Sequence, residues 1–109
     1  MAKNTARRGA TLENRAKAQL EAAGYSVMRS AASAGPLDLL AWGEDGCRGI
    51  QVKSGGTIWK NVTESRSRVK SALRPVARPE NMSYELWVWY ERKWLKYNLV
   101  GDEWTDFND

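Results

Sequence analysis

Residues 37–53 decide the fold class of this chain, and they run Leu37-Asp38-Leu39-Leu40-Ala41-Trp42-Gly43-Glu44-Asp45-Gly46-Cys47-Arg48-Gly49-Ile50-Gln51-Val52-Lys53. Residues 37–42 are mainly apolar, residues 48–53 carry Ile50 and Val52 between polar side chains, and a turn signal of glycine and acidic residues separates the two segments. Short segments of this kind on either side of a turn are typical of paired strands. The stretch therefore predicts two strands joined as a β-hairpin.

The same hairpin carries polar side chains that are expected to meet at one place. Gln51 and Lys53 are two residues apart, so they leave the same face of their strand, and Asp38 lies on the partner strand. Mg²⁺ prefers oxygen ligands, usually one or two carboxylates together with waters and a substrate phosphate. We therefore predict a metal site with carboxylates from Asp38 and Glu13 and neutral oxygens from Gln51 and the Val52 carbonyl. Lys53 would stabilise charge on the phosphate or orient the attacking hydroxide.

A simpler interpretation of these residues stays open from the pattern alone. Asp38 can accept hydrogen bonds from backbone amides near the loop that precedes it, and Lys53 can be an ordinary cation at a strand end. The two interpretations differ in whether the side chains share one pocket.

The segments around the hairpin predict an α/β fold with a mixed central sheet flanked by helices. Apolar residues spaced three or four apart predict a helix over residues 5–23, with Asn4 as its N-cap and Gly24 just beyond its end. Strands are predicted over residues 25–29, 84–91 and 94–100, with a two-residue link at residues 92–93 between the last two. A second helix is predicted over residues 64–73, with Val62, Val69 and Leu73 facing inward. The predicted order is α-β-β-β-α-β-β in a single domain over residues 1–109, with a loose acidic tail from about residue 101.

The aromatic residues late in the chain indicate burial more than base stacking. Trp87 and Trp89 lie on one face of the strand at 84–91, and apolar residues lie on the other. A strand that is apolar on both faces is typical of a layer between other layers or of a dimer contact. Trp59, in a segment predicted to be a loop, is the better candidate for touching nucleic acid.

Composition excludes several kinds of chemistry. The 109 residues contain no histidine and one cysteine, Cys47. An internal disulfide, a zinc site built from Cys and His, and a catalytic histidine are therefore all excluded. No apolar stretch has the length of a membrane helix, and no signal-peptide pattern precedes the first helix. We expect a reducing, intracellular setting and no membrane partner.

The charge is basic overall and unevenly placed. Seventeen Lys and Arg residues face thirteen Asp and Glu residues, giving a net charge of +4. Residues 1–35 and 54–79 form two basic blocks, separated by a slightly acidic centre and followed by an acidic C-terminal segment. This layout suits either a polyanion held around a metal pocket or a solvated basic surface. The residues that we predict to contact DNA phosphates from the two blocks are Arg7, Arg8, Lys60, Arg66, Arg68, Lys70 and Arg74.

Residues 8–53 also carry an ordered series of short motifs. They are Arg8-Gly9-Ala10-Thr11-Leu12-Glu13, Gly24-Tyr25-Ser26-Val27-Met28-Arg29-Ser30, the loop Ala31-Ala32-Ser33-Ala34-Gly35, Asp38-Leu39-Leu40-Ala41 and Ile50-Gln51-Val52-Lys53. In order and spacing this series resembles the archaeal-type Holliday junction resolvases of the PD-(D/E)xK nuclease superfamily, which also occur in phages. Beyond residue 53 only the order of elements is similar.

The resemblance implies a restriction-endonuclease-like fold and a role for each matched residue. Glu13, Asp38, Gln51 and Lys53 would form the metal and catalytic centre, with Mg²⁺ or alternatively Mn²⁺ as the cofactor. Ser33 would act near the scissile phosphate. Arg29 and Ser30 would contact phosphates. Gln51 departs from the family, which usually has Glu at that position.

The implied function is metal-dependent, structure-selective cleavage of four-way DNA junctions by a homodimer. The protein would act in the cytoplasm, or in the host cytoplasm if it is phage-encoded. Two alternatives stay open. One is another nuclease of the same fold, acting on flaps, nicks or single-stranded DNA. The other is a structure-selective DNA-binding protein whose pocket binds metal weakly because of Gln51.

Overall fold

A computed structural model describes the backbone of residues 2–30, 37–54 and 59–107, and the side chains of residues 10–30, 37–54 and 66–107. In chain order its elements are α1 (Ala2–Ala22), β1 (Ser26–Arg29), β2 (Leu39–Gly43), β3 (Gly46–Ser54), α2 (Trp59–Leu73), β4 (Met82–Tyr90), β5 (Lys93–Val100) and β6 (Glu103–Asp106). The predicted order α-β-β-β-α-β-β is confirmed, with one further strand at the end. None of the described helices is both long and apolar enough to cross a membrane.

The strands form one mixed sheet in the order β1-β2-β3-β4-β5-β6. Four of the five pairings are antiparallel, and the predicted β2–β3 hairpin is one of them, with Leu39 opposite Ile50 and Gly43 opposite Gly46. The exception is the β3–β4 pair, which is parallel. A parallel pair requires a crossover connection, and α2 lies within this one. The crossover places the ends of β3 and β4 at the same edge of the sheet.

Helix α1 covers one face of the sheet because its apolar residues form a single stripe. Leu12, Ala16 and Leu20 are buried at intervals of four residues, as an amphipathic helix requires. They belong to a core cluster whose strand members are Leu39, Ala41, Ile50, Val52 and Trp87. Alternation along β3 turns Ile50 and Val52 to this face and Gln51 to the other face.

The second core cluster lies on the opposite face. It joins Val69 and Leu73 of α2 to Tyr84, Leu86, Val88, Tyr97 and Leu99 of β4 and β5. Strand β4 is therefore covered on both faces, and Trp87 is fully buried. The prediction that the aromatic strand lies between layers is confirmed for Trp87.

The C-terminus of α1 ends as the sequence predicts, whereas its N-terminus does not begin as predicted. Gly24 has a φ of 101°, and the amide of Tyr25 donates to the carbonyl of Leu20. This is a Schellman ending, in which glycine adopts the left-handed conformation without the steric cost of a Cβ. At the other end the helix begins at Ala2, so Asn4 lies inside it and is not the N-cap. The alanines and long straight side chains of this segment favour helix throughout.

Helix α2 is longer than predicted. It begins at Trp59, five residues before the predicted start at residue 64, so the prediction that Trp59 lies in a loop was wrong. The predicted inward positions Val69 and Leu73 are buried. The side chain of Val62 lies outside the described residues.

The acidic tail was predicted to be loose, and that prediction was wrong. Residues 103–106 form β6, which pairs with β5 through Val100 opposite Glu103 and Leu99 opposite Trp104. The indole of Trp104 donates from Nε1 to the carbonyl of Arg66 at 2.8 Å and packs against the second core cluster. An aromatic side chain with both an apolar contact and a hydrogen-bond acceptor holds this short edge strand against α2.

Candidate active site

Asp38 is held by backbone hydrogen bonds on both sides. Its carboxylate Oδ2 accepts a hydrogen bond from the Val52 amide at 2.8 Å. Its own amide donates to the Ile50 carbonyl at 2.9 Å, and its carbonyl accepts from the Ser30 amide at 2.8 Å. The residue is only 7% exposed. These bonds connect the ends of β1, β2 and β3 and fix the carboxylate at the edge where β3 ends.

Glu13 reaches the same region from α1. Its Oε1 atom lies 2.9 Å from Nε of Arg29, the last residue of β1, and the Glu13 side chain is 18% exposed. The Asn14 side chain accepts a second hydrogen bond from Nη1 of Arg29 at 3.3 Å. Arg29 is therefore held by two consecutive residues of α1. This arrangement fixes the distance between the helix and the strand that precedes Asp38.

Gln51 and Lys53 complete the set of polar side chains from β3. The register places Leu39 opposite Ile50, so Asp38 lies beside Gln51 at the start of β2. Gln51 is half-buried and Lys53 is exposed. The charge of Lys53 is close enough to Asp38 to favour the ionised form of that carboxyl.

The electrostatics of the two carboxyl groups show that they share one environment. Burial raises the pKa of Asp38, and the Val52 amide, Lys53 and Arg29 offset part of that rise. Burial also raises the pKa of Glu13, the negative charge of Asp38 raises it further, and Arg29 acts against both effects. The structure thus brings Glu13, Arg29, Asp38 and Lys53 together. The simpler interpretation of Asp38 describes one of its contacts, the Val52 amide, but not this convergence of charges.

The donor set fits a hard divalent cation. One buried carboxyl group, Asp38, and one half-buried group, Glu13, disfavour each other's charge, and a cation bound near both would stabilise them. Among the described residues no group of three or more His, Cys, Asp or Glu side chains is arranged to hold a metal. The remaining ligands would therefore be neutral oxygens, from Gln51, the Val52 carbonyl, water or a phosphate. Mg²⁺ is bound in this way in many phosphate-processing sites.

Several predicted site residues fall where the structure gives no side-chain description. Ser33 lies outside the described residues altogether. Arg7, Arg8 and Lys60 lie in the described backbone of α1 and α2, but their side chains are outside the described set. Ser30 is described, and it contributes its amide to Asp38 as given above.

Three of the four described basic residues in α2 and directly after it have contacts within the fold. The guanidinium of Arg66 lies 5.0 Å from the ring centroid of Tyr97. Lys70 donates to the carbonyl of Asp102 at 3.1 Å, and Arg74 contacts the Asp102 carboxylate. Arg68 is exposed. The segment predicted to track phosphates thus also anchors the β5–β6 turn, through Lys70 and Arg74.

Sequence patterns do not predict the Glu13–Arg29 ion pair. Arg29 was assigned to a phosphate contact through the resemblance, whereas in the structure its guanidinium lies on Glu13 and Asn14. The two partners are far apart in sequence, so no local spacing rule connects them. The only sequence signal was the position of Arg29, a basic residue that comes before the loop leading to Asp38.

Comparison with known proteins identifies the fold. No family model and no curated protein sequence matches the chain. Among solved structures, the chain is similar to Archaeoglobus fulgidus Hjc, a Holliday junction resolvase from an archaeal hyperthermophile. The match has a TM-score of 0.57 and 16% sequence identity, and covers 84% of this chain and 73% of that one. At this identity the likeness establishes architecture, and the chain therefore has the restriction-endonuclease-like α/β fold.

Proposed function

We propose that this protein is a metal-dependent endonuclease that hydrolyses phosphodiester bonds in branched DNA, with the four-way junction as its substrate. One observation carries the proposal. The carboxyl groups of Glu13 and Asp38 converge with Arg29 and Lys53 at one edge of the sheet. In the similar fold of the Archaeoglobus fulgidus protein, the activity named is Holliday junction resolution. The combination of fold and charge arrangement favours phosphodiester chemistry over other uses of the pocket.

Each residue of the site has a distinct task in this proposal. Asp38 and Glu13 would hold the cation, with the Gln51 side-chain oxygen and the Val52 carbonyl as neutral ligands. When bound, the ion makes water a stronger nucleophile and neutralises charge that grows on phosphorus. The Lys53 ammonium stabilises the extra negative charge of the pentacovalent phosphate. Hydrolysis leaves a 5′-phosphate, and Ser33 would lie near the scissile group.

The Val52 amide has a positioning task. Because the Val52 amide donates to Oδ2 of Asp38, the backbone fixes the orientation of the carboxylate, and Asp38 would be held in place to bind a cation. A carboxylate oriented in advance loses little conformational freedom on binding a metal. Asp38 is thus fixed by β3 itself, the strand that also carries Gln51 and Lys53.

DNA contacts are proposed for residues around this centre. Phosphate contacts use side chains from both basic blocks and the loop edge, namely Arg7, Arg8, Arg29, Ser30, Lys60, Arg66, Arg68 and Lys70. Such contacts position the backbone and carry no sequence information. A homodimer would place two equal sites about a two-fold axis, which suits the two-fold symmetry of a four-way junction. A DNA substrate of this kind implies an intracellular site of action.

The deciding experiment is cleavage of an end-labelled four-way junction with Mg²⁺ and with EDTA. We expect cleavage with Mg²⁺ or Mn²⁺ and none with EDTA. Asp38→Asn and Lys53→Ala should abolish cleavage while gel-shift binding of the junction persists. Glu44→Gln, which removes one negative charge at the exposed β2–β3 turn, is the matched control and should cut normally. Cleavage that persists in Asp38→Asn would contradict the assignment.

The same assay separates the alternatives. Equal cutting of a flap, a nicked duplex or single-stranded DNA would favour another nuclease of this fold. A second candidate function, structure-selective DNA binding without cleavage, is favoured by Gln51, because an amide binds Mg²⁺ more weakly than a carboxylate. Tight junction binding with no cleavage in either metal would establish that candidate instead.

A further inference from the structure

A tryptophan cluster lies at the same edge of the sheet as the candidate active site. In the parallel β3–β4 register Trp89 is opposite Ser54, the residue after Lys53. The rings of Trp89 and Trp94 are 4.9 Å apart and nearly perpendicular, and the ring of Trp94 is 5.5 Å from that of Trp87. Since Trp87 is fully buried, this chain of ring contacts fixes the Trp89 ring in the structure.

Arg15 of α1 lies on that fixed ring. Its guanidinium carbon is 4.6 Å from the Trp89 ring centroid, which is a cation–π contact, and the residue is exposed. Within the described part of the chain, the contact found for the Arg15 guanidinium is this ring, and it has no carboxylate partner there. A guanidinium stacked on a ring keeps its N–H donors in its own plane, where they can bind a phosphate through two parallel hydrogen bonds.

Helix geometry places Arg15 on the opposite flank of α1 from Glu13. Residues two apart on a helix are separated by about 200° around its axis. Leu12 and Ala16, which are buried against the sheet, lie between the two flanks. Glu13 therefore points towards Arg29 on β1, and Arg15 points towards Trp89 on β4. The Glu13–Arg29 and Arg15–Trp89 contacts both lie at the edge of the sheet where β3 ends.

We infer that Arg15, held flat on Trp89, is a second phosphate-binding site, which fixes the DNA backbone on the far side of α1 from the Glu13–Asp38 centre. This inference rests on the proposed function, since it takes the bound polyanion to be DNA. The ligand is a backbone phosphate a short distance along the strand from the scissile one. Arg15 is a positioning residue, because it contacts the substrate away from the reacting atoms and determines which phosphate reaches Asp38.

The test is the salt dependence of junction binding, measured by fluorescence anisotropy in EDTA so that cleavage does not contribute. Each phosphate contact that a cation makes adds about 0.9 to the slope of log K against log salt concentration. Arg15→Gln should lower that slope by about this amount and weaken binding about three- to tenfold at moderate salt. Arg15→Lys should keep the slope and still bind more weakly, because Lys lacks the planar fork.

A matched control is available at the opposite edge of the sheet. Arg78 is also exposed and precedes β4, where it donates to the Leu99 carbonyl at 2.8 Å, so Arg78→Gln removes the same charge far from the site. It should leave the slope unchanged. Trp89→Leu removes the ring but keeps the Arg15 charge. If the ring holds Arg15 in place, Arg15→Gln should weaken binding less in the Trp89→Leu protein than it does in the wild type. If Trp89→Leu melts below the assay temperature, the two Arg15 variants decide the question.

The outcomes distinguish this inference from the proposed function. Wild-type protein that binds no junction at all would contradict the proposed function. Wild-type protein that binds the junction, with Arg15→Gln equal to it in slope and affinity, would overturn the role of Arg15 alone. Equal losses in Arg15→Gln and Arg78→Gln would also overturn it, because they would indicate a general charge effect.

Discussion

At the scale of single residues, Asp38 combines burial with charge. Burial raises its pKa, and the Val52 amide, Lys53 and Arg29 offset only part of that rise. In the window between the ordinary pKa of Asp and this raised value, the folded chain binds more protons than the unfolded chain. Stability must therefore fall as the pH rises through the window, and the full penalty is present above it. A bound cation would remove the penalty.

Asp38→Asn is accordingly expected to stabilise the protein at pH 7 while abolishing cleavage. The gain should be roughly 0.5–2 kcal/mol, the usual range for a single stabilising substitution. It should shrink as the pH falls through the window and vanish below the ordinary pKa of Asp, because the wild-type carboxyl is then protonated in the folded and the unfolded chain alike. Thermal melts across this pH range measure the effect, with Glu44→Gln as the exposed control. A lower melting temperature for Asp38→Asn at pH 7 would contradict the argument.

The substitution Gln51→Glu tests whether residue 51 is a metal ligand, and the measured quantity is the affinity for Mg²⁺. Replacing its amide by a carboxylate should tighten Mg²⁺ binding by about tenfold, equivalent to ~1.4 kcal/mol. The melting temperature should then rise further with added Mg²⁺ than it does for the wild type, because a ligand that binds only the folded state stabilises it. Without metal, Gln51→Glu should melt lower, since a third carboxyl joins two that already repel. Gln19→Glu, the same change on an exposed position of α1, is the control. An unchanged response to Mg²⁺ would mean that residue 51 is not a ligand.

At the scale of elements, the β4–β5 hairpin has an unusual turn. The two central residues, Glu91 and Arg92, have φ values of 50° and 63°, and Tyr90 pairs with Lys93 across them. Two residues with positive φ form a type I′ turn, which normally contains Asn and Gly. The two-residue link predicted at residues 92–93 therefore lies one residue earlier, at residues 91–92. The sheet twist selects this turn although neither residue favours it.

Replacing Glu91-Arg92 by Asn-Gly is therefore expected to raise the free energy of unfolding by about 1–2 kcal/mol. The reason is steric, because Asn and Gly adopt left-handed φ at lower cost than Glu and Arg. Urea denaturation at constant slope measures the change. The same replacement at Glu44-Asp45 is the control, since among the described non-glycine residues only Glu91 and Arg92 have positive φ. A stabilisation of equal size at both turns would show that relief of backbone strain is not the cause.

The elements that could be predicted from sequence are those with a strong local pattern. The stripe of Leu12, Ala16 and Leu20 defines α1, and the hairpin at residues 37–53 is bounded by its own turn signal. The sixth strand could not be predicted in this way. Its four residues include two acids, and it is held by pairing with β5 and by the Trp104 contact with Arg66, which are both distant in sequence.

In the candidate site, too, the residues related by a local pattern could be predicted and those related by tertiary packing could not. Asp38, Gln51 and Lys53 could be placed near one another because a hairpin register relates them directly. The environment of Glu13 could not be predicted from sequence, because it depends on how α1 packs across β1 and on the contact with Arg29. Tertiary packing, which no local spacing encodes, therefore determines which carboxyl groups interact and how their pKa values shift.

At the scale of the whole molecule, the proposal of paired cutting requires two copies of the chain. One chain contains one Glu13–Asp38 centre, whereas resolving a four-way junction requires cuts in two strands. Two centres related by a two-fold axis would make both cuts within one bound complex. Size-exclusion chromatography with light scattering should then give about twice the chain mass of 12.3 kDa. A strictly monomeric protein would contradict paired symmetric cutting.

Mixed dimers provide the sharper test of this idea. Wild-type and Asp38→Asn chains mixed in equal amounts and allowed to exchange should form heterodimers with one working centre. On a supercoiled plasmid with an extruded cruciform, a homodimer that makes both cuts before release yields linear DNA, and a heterodimer yields nicked circles. The fraction of linear product should therefore fall by more than dilution of the wild-type chains alone would cause, and the nicked fraction should rise.

Adding Glu44→Gln chains instead should leave the ratio of linear to nicked product unchanged. If the Asp38→Asn mixture also leaves it unchanged, each chain cuts independently, and the two-fold arrangement is not part of the mechanism.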